Sequence, residues 1–526
     1  MSLVESVVRS ARPSQRLLAA RPGARAAFFC LCTALAACTV AAFALSVEAW
    51  DGLAFLALAL VAISGLWIAG GAATAIVGLA TPAGRVAEVP AAWMPEGQTA
   101  ILVMLCGEDA APLARHLAEL DRGLRRVGLC ASTRIFVLSD TSGAASIAAE
   151  ESALRDLVAS GRVTYRRRRE NTGKKPGNVA DWLAQHGEAF AYMMVLDADS
   201  RLSPGRVRSM IHRIETRPRL GLLQSGIALV PGDSRFGRHQ RVSARLLSPN
   251  FGRGFAAWTG DSGNYWGHNA VMRVAAFRAA ADLPRLSGPA PFGGPLLSHD
   301  FIEAAWIRRA GWAVQLDPAM AGSAEGAPQT VEDFHRRDRR WCQGNLQHLR
   351  LLAEPGLDPI SRFHLVAGVI SYLAAPIWLA LLGLVASGAV SVSGVLPFAT
   401  VALVLALPKL CALAVLWRRA RTRGRRGVTL RAWLGELGVS AIIAPLVMVR
   451  QTASVLSVCM GRDCGWKSGR PSRLSLPRGA GEMAAGLGLA ALALTAGGGA
   501  PLWLAPVLLP LVAAPAIVRA LDHGAA

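Results

Sequence analysis

The sequence predicts an α/β domain with a mostly parallel sheet, embedded between α-helical transmembrane segments. Three observations carry this. Apolar residues make up 52% of the 526-residue chain and charged residues only 17%. The apolar residues collect in blocks at both ends rather than spreading evenly. The stretch between the blocks alternates short apolar runs with amphipathic segments, the pattern of strands and covering helices. This composition excludes disorder, a collagen-like fibre and a small disulfide scaffold.

Residues 1–80 read as an N-terminal segment with two transmembrane helices. Arg9, Arg12, Arg16, Arg21 and Arg25 precede the first apolar run. The runs at 26–46 and 53–79 each reach the ~20 residues needed to cross a bilayer. A second run follows the first at once and no clear cleavage site separates them, so an uncleaved anchor is expected. Residues 81–98, with Pro82, Pro90 and Pro95, read as a linker. Residues 99–350 form the α/β domain. The runs at 100–105 (AILVML), 134–138 (RIFVL) and 191–196 (AYMMVL) read as strands, and 110–126 and 148–160 as helices. In such sheets ligands lie beyond the carboxyl ends of the strands.

Residues 364–417 are long enough for two further spans, broken near 388–397. Residues 418–480 read as basic loops around an interfacial or re-entrant helix at 434–459, with Pro445 as its break. Residues 483–519 read as a last pair of spans. The formal charge is +21, from 56 basic and 35 acidic residues. A nucleic-acid binder is the first class such a charge suggests. The Arg residues, however, gather beside the apolar blocks and in one central loop, which fits a lipid bilayer and a polyanionic substrate instead. The positive-inside rule then puts both basic loops, both termini and the α/β domain in the cytoplasm, with six full spans. Nine Cys occur without any C-x-x-C spacing, so neither a disulfide nor a zinc framework is expected.

The strongest local signal is Val195-Leu196-Asp197-Ala198-Asp199, an apolar run ending in D-x-D. Two carboxylates so spaced at a strand end can share a hard cation, Mg2+ or Mn2+, that neutralises a diphosphate. The bland alternative is a solvated acidic turn. Asp140 ends an earlier strand and could accept hydrogen bonds from a base or ribose, or cap a turn. Residues 165–178 (YRRRRENTGKKPGN) end in a Gly- and Lys-rich turn suited to phosphate, but lack P-loop spacing. Asp300 follows Ser298-His299 at the start of a helix and is either an N-cap or a general base. Arg336-Arg337-Asp338-Arg339-Arg340-Trp341 offers guanidinium forks for phosphate and a ring for a sugar, or else a juxtamembrane lipid patch. Gln224, His268 and His299 are polar groups in apolar surroundings, with hydrogen-bonding roles favoured over metal ligation.

Together these segments resemble the membrane-bound, processive family 2 glycosyltransferases, which include cellulose and hyaluronan synthases. Asp140, the Lys175/Gly177/Asn178 element, Asp197 with Asp199, Asp300 and the 337–341 element stand in that family's order. YRRRR, YMMVLDADS, NYWGHNAVMR, LLSHDFIEAAWIRRAGW and RRDRRWCQGNL look closer still to the glucans biosynthesis glucosyltransferase H family, as does Gly465-Trp466-Lys467-Ser468. Arg337 in place of the usual Gln, and His299 in place of the usual acid, depart from the cellulose pattern. The chain also looks short at its N-terminus for that family.

The resemblance implies a GT-A-like domain in the bacterial inner membrane. Its implied reaction is inverting transfer from UDP-glucose to a growing glucan chain, the backbone of osmoregulated periplasmic glucans. Asp300 would be the base, and Asp199 with Asp197 would hold the metal. Asp140, Lys175, Asp197, Arg337 and Arg340 would bind the nucleotide sugar. Trp341, His299, Gln224 and His268 would line the acceptor side. An acyl carrier protein partner stays open, and no nucleic acid is expected. The rival readings are another β-polysaccharide synthase, cellulose-like, and a membrane transporter or binding protein without enzymatic activity.

Overall fold

Residues 22–82, 86, 88–280, 283–420, 422–464, 478–496 and 500–525 are described by a computed structural model. Helices α1 (Pro22–Ala44) and α2 (Gly52–Ala80) form the first apolar pair, with Asp51 capping α2 by accepting from the Ala54 N–H at 2.8 Å. The α/β domain then runs β1 (Thr99–Leu105), α3 (Ala110–Arg126), β2 (Thr133–Ser139), α4 (Ala144–Ala159), β3 (Val163–Arg167), α5 (Lys174–His186) and β4 (Tyr192–Asp197). It continues with β5 (Arg201–Leu202), α6 (Pro204–Glu215), β6 (Leu220–Ser225), β7 (Ala228–Leu229), α7 (Arg235–Thr259), β8 (Ala270–Arg273) and α8 (Val274–Arg278). It closes with α9 (His299–Arg309), β9 (Ala313–Asp317), β10 (Ser323–Glu325) and α10 (Val331–Gln347).

Seven strands make one sheet in the order β3-β2-β1-β4-β8-β6-β9, parallel except for β8, which runs against both neighbours. β1 is buried along its whole length, as a strand covered on both faces must be. One face packs on Leu117 and Leu120 of α3, Leu154 of α4 and Met210 of α6. The other packs on Trp182 of α5, Phe277 of α8 and Ile302 of α9. A small second sheet, β5-β10-β7, lies beside the carboxyl end of β4.

Two long helices follow, α11 (Pro359–Ala386) and α12 (Leu396–Arg419). Like α1 and α2 they are long and apolar enough to cross a membrane. Their connector pairs with the α1–α2 connector: the Glu48 N–H donates to Ser391 O at 3.1 Å and the Ser393 N–H to Ser46 O at 2.8 Å. The opposite ends meet the α/β domain. Arg25 donates to the Trp258 and Thr259 carbonyls at 3.0 and 2.7 Å, and the His364 ring lies 2.9 Å from Ser262 O. α7 crosses α2 at backbone contact, since a Cβ on Gly254 would stand 1.9 Å from Thr74 O.

Helix α13 (Arg423–Cys459) departs from the expected break at Pro445. It is one continuous helix of 37 residues. Its length and composition suit a membrane crossing, yet it runs against the α/β domain. Ser243 of α7 donates to Glu436 at 3.0 Å. Leu446 packs on Phe236 and Val331. Gln451 donates to Asp338 at 3.2 Å, and Arg339 donates to Ser457 at 3.0 Å. Contact with α7 and α10 over successive turns supports the helix through the proline, whose missing N–H would otherwise weaken it.

The last segment also differs from the expected pair of full spans. α14 (Ala480–Ala496) has only 17 residues. α15 (Ala500–Val512) bends by 62° into α16 (Ala514–Asp522). Pro510 and Pro515 flank the bend and cannot donate to a continuing helix. The Asp522 carboxylate then accepts from the Val331 N–H at 2.8 Å, so the chain returns to the start of α10.

Candidate active site

Asp140 follows β2, and its N–H donates to Leu105 O at 2.8 Å. Arg168 grips its carboxylate with two parallel bonds, Nε to Oδ1 at 2.7 Å and Nη2 to Oδ2 at 2.8 Å. Both side chains are buried. Arg168 also donates to the Thr172 and Lys174 carbonyls, each at 2.9 Å, and to Asp181 at 3.0 Å. One guanidinium therefore fastens the end of β2 to the turn that opens α5.

That turn needs left-handed backbone, with φ 66° at Gly173 and 54° at Lys174. A Cβ on Gly177 would stand 2.1 Å from Thr172 O. The tight entry aims Lys175 across the strand ends, where Nζ pairs with the Asp197 carboxylate and donates to Gly267 O at 2.7 Å. Asn178, 1% exposed, instead accepts from Arg166 and belongs to the scaffold.

Asp197 closes β4, and its N–H donates to Ser200 Oγ at 3.0 Å. Burial raises the Asp197 carboxyl, but Lys175 and then His268 outweigh it and hold it below the ordinary value. Asp199 goes the other way: burial, then the Asp197 and Glu325 charges, push it up. His268 bridges this group, with Nε2 3.1 Å from Glu325 and Nδ1 3.3 Å from Ser200 Oγ. Burial lowers the His268 ring, and the Glu325 hydrogen bond with the Asp197 charge more than reverses this.

No group of three or more His, Cys, Asp or Glu arranged for a metal occurs among the described residues. Two hard carboxylates do fit a cation that takes its remaining oxygens from phosphate and water. The raised Asp199 carboxyl, crowded by two like charges, is the group such a cation would relieve.

Asp300 stands in the first turn of α9 beside Gly267, the residue whose carbonyl takes the Lys175 bond. Burial raises its carboxyl, His299 opposes and Glu303 adds to the rise. Asp300 faces a cavity of about 890 Å3. His268, Glu325, Arg337, Trp341 and Trp266 line the cavity near Asp300. Trp67 of α2, Phe251 of α7, Gly368 and Tyr372 of α11 and Pro408 of α12 line it further on. The cavity thus joins the strand ends to the long apolar helices. Arg337 lies over the Trp341 ring, 4.3 Å from its centroid.

Two expected roles are corrected. Gln224 is 0% exposed and cannot touch an acceptor. Its amide donates to His268 O at 3.0 Å and accepts from the Trp266 N–H at 3.0 Å, so it holds the loop that carries them. His299 faces away from the large cavity, into a small recess with Lys175, Tyr265 and Glu303, and its Nδ1 lies 3.1 Å from Glu303. Arg340 sits near Cys464 and Arg336, and Arg337 lines the cavity. Arg168, Glu325, Glu303 and Trp266 were not singled out from sequence. Arg168 lay hidden in a run of four Arg. Glu325 lacks a neighbouring motif. The Gly465–Ser468 motif lies outside the described residues.

Strand-end carboxylates, a lysine paired with one of them and a buried acid at the mouth of a cavity suit a group-transfer enzyme, and the family matches make it a glycosyltransferase. Residues 192–417 match the model of the family described as glycosyl transferase family group 2. A glucans biosynthesis glucosyltransferase H from Cereibacter sphaeroides is 37% identical over 80% of this chain and 76% of its own length. One from Bradyrhizobium diazoefficiens is 38% identical over 79% of this chain and 60% of its own length. One from Xanthomonas campestris is 37% identical over 79% of this chain and 70% of its own length. The chain belongs to the glucans biosynthesis glucosyltransferase H family.

Proposed function

We propose that this glucosyltransferase extends a β-glucan by inverting transfer from UDP-glucose, making the backbone of osmoregulated periplasmic glucans. The observation that carries this is the position of Asp300, between the Lys175–Asp197 pair and a cavity leading to the apolar helices. Asp140 and Lys175 bind the nucleotide. Asp199, with Asp197, holds Mg2+ or Mn2+, which neutralises charge on the diphosphate. Asp300 takes the proton from the acceptor hydroxyl. The hydroxyl oxygen bonds to C1 of the donor from the face opposite UDP as the C1–O bond breaks, and UDP leaves with that electron pair. Arg337 lies where it can meet the negative charge that develops.

The raised Asp300 carboxyl makes it a better base than an ordinary carboxylate once it is ionised. Trp341 and Trp266 offer ring faces to the acceptor end of the glucan. The polymer leaves along the cavity past Trp67 and Tyr372. In this reading the protein sits in the bacterial inner membrane with the α/β domain and both ends in the cytoplasm. The two paired connectors face outward and hold no Lys or Arg between residues 45–51 and 387–395. α13 lies along the cytoplasmic interface. Incubating the purified protein in detergent with radiolabelled UDP-glucose and a divalent ion, followed by linkage analysis, tests this. A β-1,2-linked glucan is expected. A β-1,4 product supports the cellulose-like reading, and no polymer overturns the proposal.

A further inference from the structure

Arg253 of α7 is only 7% exposed, where α7 packs against α2 and α12. Its Nη2 donates to Asn250 Oδ1 at 2.9 Å, and its Nε has no hydrogen-bond partner. Asn250 is neutral and already committed, its amide donating to Ala75 O at 2.8 Å. Burial and the like charge of Arg419 both act against the Arg253 cation, and among the described residues no acid offsets them. Residues 410–435 contain neither Asp nor Glu.

A buried guanidinium is stable where an anion neutralises it and takes its free N–H groups. Among the described residues no carboxylate is paired with Arg253. The surroundings point to its source. Arg419 is exposed on the last turn of α12, a 24-residue apolar helix, at the end that meets the catalytic layer. Trp417 beside it is 38% exposed, and such rings favour the level of lipid headgroups. Arg426 stacks on Trp417 at 5.5 Å, and Arg418, Arg423 and Arg425 are exposed around it.

We propose that Arg253 and Arg419 bind the phosphate of an anionic lipid headgroup between α7 and the end of α12, on the catalytic-domain side of the bilayer. Arg253 supplies the deep contact and Arg419 the outer one, while the neighbouring arginines raise the local concentration of anionic lipid. Neither Arg253 nor Arg419 lines the cavity that holds Asp300, although Asn250, the partner of Arg253, does, so the test reads lipid rather than turnover.

The experiment is native mass spectrometry of the full chain, purified in mild detergent and supplied with phosphatidylglycerol or phosphatidylcholine. The wild type should retain phosphatidylglycerol about tenfold more than phosphatidylcholine, the difference expected for one charge-assisted contact. Arg253→Gln and Arg419→Gln should each lose that preference. Arg419 is exposed, so Arg419→Gln keeps the test decisive should Arg253→Gln fail to fold. Equal retention of the two lipids by the wild type, or an unchanged preference in Arg419→Gln, would overturn the proposal. Displacement of phosphatidylglycerol by millimolar inorganic phosphate would overturn the lipid as the source of the anion.

Discussion

Arg168 holds both carboxylate oxygens of Asp140, at 2.7 and 2.8 Å, with the two side chains 8% and 6% exposed. The pair sets where the first strand-end acid lies relative to the α5 turn and Lys175. Breaking a buried pair leaves an uncompensated charge, at a cost of about 3–5 kcal/mol. Arg168→Ala should therefore lower the unfolding temperature of the solubilised protein and abolish UDP binding by calorimetry. An Arg168→Ala protein with wild-type stability and affinity would show that the pair is dispensable.

Asp199 carries a carboxyl raised by burial, Asp197 and Glu325. Asp199→Ala should remove the part of UDP binding that depends on Mg2+ or Mn2+ and leave the metal-independent part. Titrating UDP with and without EDTA measures both. An unchanged metal dependence would reassign the cation to other groups.

The pH profile follows from the charges that act on Asp300, those of His299, Glu303 and Lys175. As the proposed base Asp300 must be unprotonated, and burial raises its carboxyl. Activity should then fall as pH drops, at a pH higher than an ordinary Asp carboxyl would give. His299 is the first charge opposing that rise, so His299→Ala should move the acid limb of kcat/KM to higher pH. A limb that stays in place, or moves down, would separate His299 from the base.

α13 meets the catalytic layer at Glu436, Gln451 and Ser457. Both of its ends should then be reached from one side of the membrane. Single cysteines at Arg423→Cys and at Cys464 should label with an impermeant maleimide in inverted vesicles, but not in intact spheroplasts. Labelling of the two positions from opposite sides would make α13 a crossing.

The parallel strands and the D-x-D turn are legible in the sequence because apolar runs ending in acids leave a local pattern. The long apolar helices are legible from composition. Asp300 and Arg337 are found by their place in a known order of motifs. Arg168 and Glu325 are not, because their partners, Asp140 and His268, lie 28 and 57 residues away in the chain. Gln224 and His299 mislead for a related reason. A polar residue in apolar surroundings can serve a backbone loop or a neighbouring acid as readily as a ligand, and only packing distinguishes the two. Pro445 reads as a break, yet contacts with α7 and α10 carry the helix through it.

The most direct test is single-turnover transfer by Asp300→Asn beside its affinity for UDP. Amide for carboxylate keeps the shape and removes the base. Transfer from UDP-glucose should fall by about 100- to 10,000-fold with UDP affinity unchanged. Wild-type transfer by that variant would contradict Asp300 as the group that takes the acceptor proton.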